Sequence, residues 1–179
     1  MLRIGLVFSV ELAMSIQESS VFVETRDALG RHNLLRGQLS RATELALRVV
    51  VEQKPPLCQV LLPLHRLFQE FSSELESYIE LEETALFPNV LAGVSGRIVS
   101  GDLSETIRLL KHGQDALLRI LFEMCELTQG FLAPVGACAS YMQLLETLRA
   151  IQTELVWEFC LESEVLFPRA LAYAEASVV

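Results

Sequence analysis

The sequence predicts an all-α protein folded as an antiparallel up-down four-helix bundle, and three observations lead there. Apolar residues recur at helical spacing through four long segments. Only clusters of proline or glycine separate those segments. A phrase near the end of the second segment, YIELEETALFP (78–88), returns near the end of the fourth as EFCLESEVLFP (158–168). With 179 residues, 51% of them apolar, the chain is long enough to bury one sizeable core, so a single domain follows.

The first helix is expected from about Arg26 to Gln53, with Leu35, Leu39, Ala42, Ala46 and Val49 on one stripe and Lys54-Pro55-Pro56 as its stop. Before it, a short apolar run is interrupted by Glu11 ahead of any cleavage site, which argues against a signal peptide. The layout is therefore an N-terminal segment 1–25, weakly ordered or loosely docked, a bundle 26–173 and a tail 174–179. A second helix runs from near Leu57 to about Phe87. The link that follows carries Gly93, Gly96 and Gly101, and Asp102-Leu103-Ser104-Glu105 has the form of a capping box. The third helix then runs to about Thr128, and after QGFLAP (129–134) the fourth runs from about Val135 to Leu166. Each half of the chain is thus a helix pair whose second member ends in Leu-Phe-Pro. Proline cannot continue the backbone ladder, so both helices are expected to stop there.

Composition excludes several classes. A net charge of −9, with 14 basic residues and no basic run, argues against a nucleic-acid surface or an anionic membrane as partner. No apolar stretch approaches the roughly 20 residues that span a bilayer. Cys58, Cys125, Cys138 and Cys160 lack any CxxC or zinc-like spacing and sit in apolar helical patterns. They read as buried thiols in a reducing cytosol, hence a cytoplasmic protein. No Ser-His-Asp or Cys-His pairing can be placed on adjacent helices, and no phosphate-cradling glycine loop occurs. Paired glutamates are able to do acid–base work, so an enzyme is disfavoured rather than excluded.

The chemistry lies in the repeated phrase. At an offset of 80 it shares Leu81/Leu161, Glu82/Glu162 and the whole Leu-Phe-Pro ending. Residues four apart on a helix differ by about 40° around the axis and about 6 Å along it, so Tyr78 with Glu82, and Glu158 with Glu162, form two stacked pairs. Leu75, Ile79 and Leu86 flank the first pair; Leu155, Phe159 and Leu166 flank the second, and both pairs face inward. Three carboxylates beside a core need a compensating positive charge. On the third helix, His112 lies 80 residues after His32, echoing the repeat. Its apolar residues Ile107, Leu110, Leu117, Ile120, Leu121 and Met124 nevertheless centre on a face that includes Gln114. Both remain candidates, with Gln114 favoured and His112 at the bundle edge. His65 is read as a surface or boundary residue, and Trp157, Phe159 and Met124 as core.

These stretches, together with HNLLRGQL (32–39), Gly136-Ala137-Cys138 and LESEVLFPRAL (161–171), resemble the hemerythrin-like, HHE cation-binding proteins, and within them the di-iron repair-of-iron-centres branch. The resemblance covers most of the chain from about Arg31 onward. It implies non-haem iron, as one ion or a di-iron centre, and a link to iron handling under oxidative or nitrosative stress. It places His32 at the family's first-helix histidine, and Glu82 and Glu162 at its two metal-bridging carboxylates. Tyr78 and Glu158 stand where that family has histidine, and counting back from Gly136 puts Gln114 at a third. Two readings follow. In one, His32, Tyr78, Glu82, Glu158 and Glu162, with Gln114 or His112, form an altered, ligand-poor site whose hard donors and single imidazole suit iron or manganese. In the other, the metal is lost and the carboxyls share protons with one another, Tyr78, Gln114 and a protonated His32, leaving a binding or regulatory module. The expected partners are a metal ion or small oxygen and nitrogen species, with no nucleic acid and no membrane; a homodimer stays open.

Overall fold

Apolar stripes at helical spacing become four long helical rods in the computed structural model, two of them crossed by a wide turn. These are α1 (Leu2–Glu52), α2 (Cys58–Leu81) continued by α3 (Phe87–Val94), α4 (Leu103–Leu127), and α5 (Ala139–Leu161) continued by α6 (Phe167–Ala176). The structure describes the backbone of residues 2–52, 58–95 and 102–176. Side chains are described from residue 25 onward, with Val23, apart from 58, 94, 173, 174 and 176. Among the described residues there is no strand, and no helix is long and apolar enough to cross a membrane. The rods form an antiparallel four-helix bundle: α1 packs along α5, α2 along α4, and α3 and α6 meet at one end.

The core is the set of stripes turned inward. Leu35, Leu39, Ala42, Ala46 and Val49 of α1 and Ile107, Leu110, Leu117, Ile120, Leu121 and Met124 of α4 are all buried. Each large side chain among them contributes about 1.5–3 kcal/mol over its exposed state. Leu75, Ile79, Leu155 and Phe159 close the middle from α2 and α5.

Several boundaries differ from the sequence reading. The backbone of α1 is helical back to Leu2, so Arg26 is not where the helix begins. How the segment before Thr25 docks is a matter of side chains outside the described residues, as is the stop at Lys54-Pro55-Pro56. The fourth rod starts at Ala139 rather than Val135, because Gln129, Gly130 and Phe131 all take positive φ (53°, 86° and 55°) and turn the chain first. Thr128 Oγ1 accepts the Phe131 N–H at 3.1 Å, and the buried Phe131 ring anchors a backbone conformation that a bulky residue rarely adopts. Asp102 caps α4 by accepting the Glu105 N–H at 3.1 Å, whereas the Glu105 carboxylate turns to Arg108; only half of the capping box forms.

The largest correction concerns Pro88 and Pro168, which do not end their helices. Each is preceded by a five-residue π turn, Glu82–Leu86 and Glu162–Leu166. There the Phe87 N–H reaches back to the Glu82 carbonyl, and Phe167 to Glu162. The wide turn lets the ring clear the preceding carbonyls, and each proline takes the second position of a new helix, where its missing N–H matters least. Two further expectations change. Trp157 is 54% exposed rather than core, because its neighbours Glu158 and Phe159 take the inward positions. Among the described cysteines, Cys125 and Cys138 are half-buried and Cys160 is exposed, so none is the fully buried thiol expected.

Candidate metal centre

Both π turns begin on a glutamate, and each sets that glutamate at the centre of the bundle: Glu82 and Glu162 are fully buried. Around them the structure gathers His32 from α1, Tyr78 from α2, Gln114 from α4 and Glu158 from α5, all buried. Six of the seven candidate residues therefore share one environment. The seventh, His112, is exposed on α4 and makes none of the contacts that join the other six. The face of α4 that looks inward is the one carrying Gly113 and Gln114.

One side of the cluster is closed by hydrogen bonds. Tyr78 Oη donates to Glu162 Oε2. Gln114 Nε2 donates to the same oxygen at 2.7 Å and to Tyr78 Oη at 3.0 Å. Ser163 Oγ in turn donates to Gln114 Oε1 at 3.3 Å. Gly113 makes room for the phenol, since a Cβ there would lie 2.9 Å from Tyr78 Cδ2. The ring of Phe159 meets Tyr78 edge-on at 5.3 Å.

The opposite side is oriented but left open. His32 Nδ1 lies 3.0 Å from Glu83 Oε1, and Arg36 grips both oxygens of Glu83 at 2.8 and 3.1 Å. That guanidinium holds the Glu83 carboxyl below the usual range, first through its hydrogen bond. An ionised Glu83 only accepts, so Nδ1 carries a proton and Nε2 is the ring nitrogen turned to the centre. The imidazole also stacks on Phe87, 5.5 Å between centroids. His32 Nε2 stands 3.1 Å from Glu82 Oε2 without the alignment of a hydrogen bond.

A third feature is an ion pair. Arg31 Nε and Nη2 fork onto the two oxygens of the buried Glu158, the second contact at 3.0 Å, and the guanidinium lies 4.9 Å from the centroid of Trp157. Arg31, Glu83, Arg36 and Gly113 were not among the residues the sequence singled out. Arg36 was findable, four residues after His32 on the same helical face. The pairing of Arg31 with Glu158, 127 residues apart, leaves no local trace.

Burial pushes the carboxyls of both central glutamates well above their ordinary values. The charge of Glu158 adds to this at Glu82, and that of Glu82 at Glu162. Tyr78 is raised too, by burial first and then by Glu82 and Glu162. A positive charge or a proton must therefore sit among these groups. Among the described residues, four atoms of this cluster lack an aligned hydrogen bond: His32 Nε2, Glu82 Oε1, Glu82 Oε2 and Glu162 Oε1. Among the described residues no group of three or more His, Cys, Asp or Glu forms a ready-made metal cage. The unpartnered atoms, three carboxylate oxygens and one imidazole nitrogen, are of the donor types that a hard or borderline cation takes.

Fold and site together define a class: a four-helix bundle with a buried, carboxylate-rich centre. No family model matches the chain. Among curated proteins it is similar to the iron-sulfur cluster repair protein YtfE of Pectobacterium carotovorum subsp. carotovorum, 31% identical over 99 residues, which is 55% of this chain and 42% of that protein. YtfE of Yersinia pestis is 32% identical over 98 residues, again 55% of this chain and 42% of the relative. The iron-sulfur cluster repair protein DnrN of Neisseria gonorrhoeae is 28% identical over 159 residues, 88% of this chain and 96% of that protein. The chain thus spans less than half the length of the YtfE relatives and nearly the whole of DnrN.

Proposed function

We propose that this chain is a hemerythrin-like, non-haem iron protein with a reduced site, holding a single ion between His32, Glu82 and Glu162 and serving iron handling under oxidative or nitrosative stress. The observation that carries the reading is the set of four buried atoms without partners, in a cluster whose other polar atoms are paired. The similarity to iron-sulfur cluster repair proteins supports iron as the ion. When bound, iron supplies Lewis acidity and a one-electron couple. The protein's own contribution is positional. Glu83 and Arg36 fix the His32 ring, while Tyr78 and Gln114 hold one oxygen of Glu162 and leave the other free. The buried Leu75, Leu86, Leu155 and Leu166 help keep water out. The same reading makes the chain cytoplasmic, with residues 26–173 as the working bundle and small oxygen or nitrogen species as further ligands.

A second reading is favoured by the Tyr78–Gln114–Glu162 network and the Arg31–Glu158 pair, which form without metal. It makes the protein a metal-free binding or regulatory bundle with the central carboxyls protonated. Anaerobic loading of metal-free protein with Fe(II), followed by metal analysis, separates the two. The expected result is one ion per chain in the native protein and none in the Glu82→Ala/Glu162→Ala double variant. Two ions unaffected by that change would show that the site lies elsewhere; a stable fold that takes up none supports the second reading.

A further inference from the structure

We infer that Arg31 is a resident cation of this centre: its guanidinium occupies the charge-compensating place beside Glu158 and thereby restricts the centre to one ion. This rests on the single-ion reading above and adds to it the residue that sets the count.

Four acidic side chains lie in or beside the cluster, and each has a different solution to its charge. Glu83 is paired with Arg36 at the half-exposed edge. Glu162 has one oxygen held by Tyr78 and Gln114. Glu82 makes no aligned hydrogen bond among the described residues, its Oε2 lying 3.1 Å from His32 Nε2. Among the described residues Glu158 is matched by Arg31, through two parallel contacts that use both of its oxygens. A bidentate guanidinium is a strong and rigid counter-charge, and it leaves little of the carboxylate free for any other cation. The guanidinium is itself held from outside by the Trp157 ring, so Arg31 is roofed as well as paired. Its side chain is only 17% exposed. The charge of Arg31 is also felt at Glu82, where it offsets part of the repulsion from Glu158. A surface ion pair has none of these properties.

Position in the repeat supports the same conclusion. Tyr78 and Glu158 occupy equivalent places in the two phrases. The neutral phenol needs no counter-charge, whereas the carboxylate does, and the cation beside it is a side chain. The repeat counterpart of Arg31 is Lys111, which is exposed. The compensation is thus built on one side of the bundle only.

The test is ion content and affinity with Mn(II) and Fe(II), measured by equilibrium dialysis and metal analysis on the native chain, Arg31→Gln, and Arg31→Gln with Glu158→Gln. The native chain is expected to hold one ion. Arg31→Gln is expected to rise toward two, because Glu158 then needs a cation, and the added Glu158→Gln change is expected to return the count to one. If folded Arg31→Gln keeps one ion at unchanged affinity, the inference is overturned while the single-ion reading stands. If the native chain binds none and Arg31→Gln binds one, Arg31 still fills a cation place and the single-ion reading of the native protein fails. No binding in either overturns both. Should Arg31→Gln fail to fold without metal, refolding with Mn(II) decides: recovery of helical signal by metal supports the inference, and equal failure with and without metal rejects it.

Discussion

In the first half of the chain the repeated glutamate, Glu82, faces His32 with neither oxygen in an aligned hydrogen bond among the described residues; in the second half its counterpart, Glu162, has one oxygen fixed by Tyr78 and Gln114. The phrases match at an offset of 80, and so do the π turns that carry them. The helices that face those turns do not. His32 looks into the centre, its counterpart His112 is exposed, and the inward place on α4 belongs to Gln114, two residues further along. Two residues turn a helix by about 200°, enough to exchange its inner and outer faces. The duplication therefore survives as geometry in one pair of helices and is broken by rotation in the other. The consequence is a centre with one open and one closed side.

The largest effect is expected from Glu82→Gln, which should abolish the proposed ion binding while stabilising the metal-free protein. The folded state holds protons on Glu82 and Glu162 more tightly than the unfolded chain does. Their contribution to stability is fully present below the unfolded carboxylate value of about 4.3 and is lost as pH rises through the raised folded values. Glu83 has the opposite sign: its contribution is present above that unfolded value and lost as pH falls through its lowered folded value. Metal-free native protein should therefore lose stability on going from acidic to neutral pH, and Glu82→Gln should flatten that decline. A rise of about 1 kcal/mol at pH 7 corresponds to roughly 2–4 °C in Tm for a domain of this size, readable by calorimetry. A decline as steep in Glu82→Gln as in the native chain would count against an uncompensated charge at this position.

A smaller effect is expected on the open side from Arg36→Ala. It frees Glu83 and loosens His32, and loss of a supporting contact of this kind weakens metal binding by about 10–100-fold. Titration calorimetry with Mn(II) reads the difference; unchanged affinity would mean that the Glu83–His32 contact does not set the ring.

The smallest effect is expected on the closed side. Gly113→Ala pushes a methyl against the Tyr78 ring and should cost about 1 kcal/mol as overpacking. Because the phenol holds Glu162, the near-ultraviolet tyrosine signal should change with it, while metal affinity falls less than in Arg36→Ala. A larger loss of affinity than in Arg36→Ala would reverse the assignment of open and closed sides.

Residues on one helix face are legible because the 3.6-residue period links them locally. This is how the α1 and α4 stripes, the inward Tyr78–Glu82 and Glu158–Glu162 pairs and the choice of Gln114 over His112 could be read before any coordinates. Pattern alone misled at Pro88 and Pro168, since a proline reads as a stop unless the turn before it widens. It misled at Trp157 as well, where an aromatic at helical spacing lies outside, against a guanidinium.

The chain's own order of residues determined four helices, their inward faces and the two glutamates that a bundle would bury. Only the tertiary structure decided which groups answer those glutamates, because a counter-charge is chosen by distance across the bundle. Arg31 reaches Glu158 over 127 residues of separation, and His32 rather than His112 meets the centre. The rotation of each helix about its axis sets those distances, and it arises from packing between rods rather than from the pattern along any one of them.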